Sequence, residues 1–282
     1  MWRTLRSIGS AHRKKLLLTF SIVALENMLF LAYPVFGSFA VNAVMQGKAW
    51  HALTYALVVL VVWLVGAARR SVDTRTFARI YSEMVVPVIV QQRVQGQSAS
   101  AISARVALSR EFVDFFEMHL PTAVTSLISI AGACVMLLIL EFWPGVLSVL
   151  ILLAFALLLP RFTRASSRLY LALNNRLEHD VNMIEHAAEA ALRKHYGLVA
   201  QLRIWISNRE AFGYLCIGLA MSILFGFTFV WITINGYGSA GHIYAITTYL
   251  WMFAMSLDDV PRLVESYSNL KNIAARVEVG SQ

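Results

Sequence analysis

Hydrophobic positions along the chain gather into six long blocks: Leu16–Ala43, Ala52–Ala68, Pro121–Leu140, Gly145–Pro160, Phe212–Ile234 and Ile243–Val260. A helix that crosses a bilayer needs roughly 20 mostly apolar residues, about 17 at the short end. Five blocks reach that length. The fourth is short but lies between Trp143 and Arg161, which suit the two membrane interfaces. The first block is too long and too central for a cleaved signal segment. The pattern predicts six transmembrane helices.

The connections between blocks are of two kinds. Met45–His51, Glu141–Pro144 and Asn235–His242 are short, whereas Arg69–Leu120 and Arg161–Arg209 are long and nearly equal. Both long segments mix apolar and charged residues at helical spacing, and their only glycines are Gly96 and Gly197. The spans are therefore expected to continue as helices past the membrane, to turn near Gln95–Ser100 and near His195–Ala200, and to return. About 20 helical residues each way would carry such an arm about 30 Å from the membrane.

Composition agrees with a lipid solvent. Of the 282 residues 58% are hydrophobic and 14% charged, and mean hydropathy is +0.63; soluble domains average about 45–50% and about 25%. Of 24 lysines and arginines, only Lys48 falls in a short connection. Basic residues gather in cytoplasmic loops, so the arms and both termini are expected in the cytoplasm, in a bacterial inner membrane. The net charge of +8 then reports topology and calls for no nucleic-acid partner. Cys134 and Cys216 sit in separate apolar blocks and read as core residues, without metal or disulfide spacing.

Several stretches resemble one family. "AYPVFGSFAVNAVMQG" (Ala32–Gly47), "SASAISARVALSREFVDFFEMHLP" (Ser98–Pro121) and "GHIYAITTYLWMF" (Gly241–Phe253) followed by Pro261 are similar to parts of the transmembrane domain of ABC exporters, the type IV fold. The resemblance covers nearly the whole chain. It implies an all-α membrane protein: a single six-helix domain over residues 1–282, acting as a homodimer whose copies exchange a helix pair and together form the cavity. The sequence departs from the usual exporter pattern in holding no nucleotide-binding domain. Its one Gly-Lys pair, Gly47-Lys48, lacks the glycine of a phosphate-binding loop, so no ATPase activity and no cofactor are expected. Two mechanisms follow by analogy: a proton-driven transporter similar to the SbmA/BacA-like peptide importers, or the membrane half of a split transporter with a separate ATPase subunit. A non-transporting receptor or assembly factor is a third class.

Ionisable residues inside the blocks separate these readings. Glu26 lies ten residues beyond Leu16, about 15 Å along a helix and near mid-bilayer. A charged acid there costs about 2.5–3.5 kcal/mol, so it should face the protein interior or a water-filled cavity. The functional reading is a proton-coupling group; the structural one is a carboxyl bonded to a neighbouring helix. Asp258 and Asp259, near the inner edge of the last block, are further proton-coupling candidates. Tyr244, Trp251, Met255, Asp258, Arg262 and Glu265 recur at helical intervals and share one face, aromatic in one half and charged in the other. The resemblance makes that face cavity lining for an amphipathic substrate. Asp114, Glu117 and His119 read as an interfacial face. His179, His186 and His195 with Glu185 and Glu189 read as solvated arm surface. Glu141 reads as interfacial. The expected task is import of a bulky amphipathic solute, such as a peptide-like natural product or a siderophore.

Overall fold

The computed structural model describes residues 13–114, 117–118, 120–177, 183–184, 187–236 and 238–279. The described residues form seven long helices: α1 (Arg13–Met45), α2 (Ala49–Val94), α3 (Ala99–Asp114), α4 (Leu120–Leu140), α5 (Phe142–Leu177), α6 (Glu189–Asn235) and α7 (Ala240–Val279). Five of them, α1, α2, α4, α5 and α6, are long and apolar enough to cross a membrane. The sixth predicted block, Ile243–Val260, lies within α7. With 46 residues in α2 and 47 in α6, each helix is about 70 Å long, more than twice the roughly 30 Å hydrocarbon thickness. They must therefore project well beyond it.

The same device ends α1 and α2. Gly47 and Gly96 adopt left-handed backbone (φ 70° and 68°), which costs glycine nothing. The reversal lets the Lys48 N–H reach the Ala43 carbonyl at 2.9 Å and the Gln97 N–H reach that of Gln92 at 3.2 Å, satisfying carbonyls that a helix end leaves open. The first arm thus turns at Gln95–Ser98, as its sequence predicts.

The second arm departs from expectation. Residues 195–200 are not a turn: they lie inside α6, which begins earlier, at Glu189. Gly197 was the only turn signal there. A lone glycine weakens a helix without stopping it, and His195 and Val199 are buried on one face. Val199, packed with Leu173 and Ile206, holds the helix through the glycine.

By packing, the chain divides into two compact units, one of residues 1–141 and 235–282 and one of residues 142–234. In the first, α1 packs against α2, α4 and α7, α4 against α7, and α3 against α2 and α7. Its centre is α7, where Ile246, Tyr249, Leu250 and Phe253 are fully buried. The Tyr249 hydroxyl donates to the Leu31 carbonyl of α1. Small residues bring α1 and α7 together: the Tyr244 ring covers Gly37, and Gly241 lies against the Ser38 carbonyl and Asn42, to whose Oδ1 it donates its N–H at 2.9 Å. Phe77, Ile80 and Val113 form a smaller core between α2 and α3.

In the second unit, α5 and α6 close over Leu173, Val199 and Ile206. Arg209 ties the pair, donating to the Phe162 carbonyl and the Ser166 hydroxyl with its guanidinium 4.6 Å from the Phe162 ring centre. At the other end Trp143, Phe227 and Trp231 form an aromatic group, the composition of a membrane interface.

Because Gly197 is helical and a Cβ there meets nothing within 4 Å, Gly197→Ala should stabilise the protein by about 0.5–1 kcal/mol. Thermal unfolding of the two proteins in one detergent measures this. A lower midpoint for the variant would mean that the residue belongs to a turn.

Candidate functional site

The ionisable groups of the first unit collect where α1 and α2 lie side by side. Glu26 is 19 residues before Met45 and Arg69 is 20 after Ala49, so the hairpin sets them opposite each other. An Arg69 guanidinium nitrogen bonds Glu26 Oε2. The Arg69 Nε lies 3.2 Å from Asp73 Oδ2, one turn further along α2. One cation thus serves two carboxylates, both on buried residues.

This geometry sets Glu26 level with Arg69 along the hairpin. Arg69 directly follows the apolar run of α2, so its partner lies at the end of that run and not midway. The stretch Glu26–Met45 alone is about 30 Å long, enough for one crossing; the residues before it extend beyond. Asn27, the expected polar companion, donates to the Val23 carbonyl at 2.7 Å and to Thr125 Oγ1 of α4 at 3.2 Å.

Burial pushes the Asp73 carboxyl above its ordinary value, against the pull of Arg69 and with added repulsion from Glu26. The sign follows from linkage. The folded state binds the proton more tightly than the unfolded one, so this group favours folding at low pH and loses that effect as pH rises through the raised value.

The α7 stripe is divided. Trp251 is 55% and Met255 64% exposed, whereas Ile246 and Phe253 on the other side are fully buried. Tyr244 is half-buried over Gly37 of α1, so its ring is packed between helices. Asp258 is half-buried, and Asp259 accepts a hydrogen bond from Ser126 of α4 at 3.3 Å. Arg262 and Glu265 fall on α7, but their side chains lie outside the described residues, as do His119, His179, Glu185 and His186.

The family profile for the ABC transporter transmembrane region matches residues 5–241. The chain belongs to the ABC transporter transmembrane family. No curated protein matches it. The match ends where α7 begins, so the stripe lies beyond the matched region. The triad of Glu26, Arg69 and Asp73 lies inside it.

Two features of this transporter domain escaped sequence reasoning. Asp73 and Arg69 were not singled out, although equal counting from the short turn sets Arg69 against Glu26. At the opposite end, Glu141 is not merely interfacial: its Oε1 lies 2.9 Å from His242 Nε2, joining the end of α4 to the start of α7. Among the remaining candidates, Asp114 pairs with Arg110 at 2.9 Å and Glu189 with Arg193. His195 is buried in the second unit.

Two measurements check this geometry. A double-mutant cycle of Glu26→Gln and Arg69→Gln on unfolding stability should give a coupling of about 0.5–3 kcal/mol; simple additivity would dissolve the pair. Cysteines replacing Trp251 and Met255 should react with a water-soluble or membrane-permeant thiol reagent. Those replacing Ile246 and Phe253 should stay protected, and equal labelling of all four would erase the two faces.

Proposed function

We propose that this chain is a proton-coupled importer of a bulky amphipathic solute, a peptide-like natural product or a siderophore, acting as a homodimer in a bacterial inner membrane with the basic arms and both termini in the cytoplasm. The observation that carries the reading is the buried triad. A transporter powered by ATP elsewhere has no need of an acid that changes charge inside its own helix bundle. A gradient-driven one requires a group whose proton affinity depends on conformation. Glu26 and Asp73 compete for Arg69, so a shift of α1 against α2 changes how strongly Asp73 holds a proton.

Other features support the rest of the reading. The exposed Trp251 and Met255 give α7 a face suited to an apolar part of a solute, with Asp258 nearer the charged end. The division into a five-helix and a two-helix unit suits a fold in which two copies exchange a helix pair. Asp258 and Asp259 remain secondary coupling candidates: Asp259 has a partner on α4, and both lie towards the end of the last apolar block.

The second reading, a membrane subunit energised by a separate ATPase, is favoured by membership of the ABC family. In that case the turn at Gln95–Ser98 is a docking point.

The test is uptake of amphipathic peptides and ferric siderophores into proteoliposomes under an imposed pH gradient without ATP. Wild-type protein should transport, and Glu26→Gln should insert normally yet lose the gradient-driven component. Full activity in Glu26→Gln removes Glu26 from coupling. Wild-type protein that stays idle until an ATPase subunit and ATP are supplied replaces this reading with the second. Light scattering in detergent should give about twice the 31.5 kDa chain mass for the protein moiety, and a transporting monomer would contradict the shared pathway.

A further inference from the structure

The triad carries one positive charge against two negative ones, and its oxygens are unequally satisfied. Arg69 bonds Glu26 Oε2 and Asp73 Oδ2. Among the described residues Asp73 Oδ1 is buried and has no partner within hydrogen-bond distance, and the buried Thr19 hydroxyl of α1 faces it as a donor that favours the ionised carboxylate. Asp73 itself is only 5% exposed. A net negative charge held in so buried a place is costly.

One proton on Asp73 removes that charge, and the triad becomes neutral as Glu26⁻, Arg69⁺ and uncharged Asp73. We propose that Asp73 is a proton-binding site of this protein, with the Glu26–Arg69 ion pair supplying the fixed charge beside it. A sodium ion fits less well, since it would lie beside a guanidinium. The surroundings favour the protonated acid as well. Glu117, beyond α3, adds negative charge near Asp73, Glu26 adds more from α1, and the Arg110–Asp114 pair of α3 is internally balanced. Release follows if α1 shifts so that Arg69 leaves Glu26 and turns fully to Asp73.

Only the role of this proton in transport rests on the proton-coupled reading; the site itself does not. The test is pH-difference infrared spectroscopy of the full-length protein in lipid nanodiscs, following the carbonyl stretch of a protonated carboxylic acid. Wild-type protein should show a titrating band above the ordinary carboxylate range. Asp73→Asn should abolish it, Asp73→Glu should move its frequency, and Glu26→Gln should keep it with a midpoint at lower pH, because a repelling charge is gone and Arg69 is freed for Asp73. Asp73→Glu and Glu26→Gln decide the matter should Asp73→Asn fail to fold. Loss of the band in Glu26→Gln, no change in Asp73→Glu, or no titrating band in wild type overturns the assignment. So does a midpoint that shifts when sodium replaces potassium, which would assign a metal cation. A titrating Asp73 in a protein without gradient-driven uptake upholds this site and defeats the transport reading. Uptake that survives Asp73→Asn, with the band abolished, upholds the transport reading and defeats any role for this proton in it.

Discussion

One guanidinium shared by two buried carboxylates is the constraint on which the first unit depends. Arg69 can reach Glu26 only if the turn at Gln46–Lys48 sets α1 and α2 in one register, and the left-handed Gly47 makes that turn. The register fixes which part of α1 crosses the apolar layer and which part runs beyond it. It also leaves the other face of α1 to Tyr244, Tyr249 and Gly241 of α7. Removing Arg69 would leave two buried carboxylates without a counterpart, at several kcal/mol. The ion pair therefore acts as a lock on register more than as a source of net stability.

Fold class was legible because bilayer physics writes it in coarse units. A run of about 20 apolar residues has few alternatives to a spanning helix, and the arms could be read as helical because their charges keep helical spacing. What was misread is finer. The turn of the second arm was placed at Gly197, since glycine is the usual signal, but His195, Val199 and Ile206 bury one continuous face and tertiary packing overrides local propensity. Glu26 was placed by counting from the start of its apolar block, whereas the structure pairs it with Arg69, at the end of the apolar run of α2. Depth is set by the partner helix, which a single stretch of sequence does not reveal.

The candidate site was half legible. An acid inside an apolar block stands out at once, and Glu26 did. Asp73 did not, because seven arginines and acids crowd the segment after Ala68 and burial of one of them is a tertiary fact. The α7 stripe shows the opposite case. Its spacing separates exposed Trp251 and Met255 from buried Ile246 and Phe253, yet Tyr244 turns inward, since Gly37 offers a slot that spacing alone does not disclose.

The proposed coupling has a thermodynamic converse. If a proton gradient drives a solute, a solute gradient must drive protons, because the coupling free energy is shared by both ligands. Vesicles containing the purified protein and a pH-sensitive dye, without nucleotide and without an imposed pH difference, give the most direct measurement. Addition of a transported peptide or siderophore outside should acidify the lumen, and the signal should vanish in Asp73→Asn. Solute entry with no change of internal pH, or no entry until an ATPase and ATP are added, would contradict proton coupling.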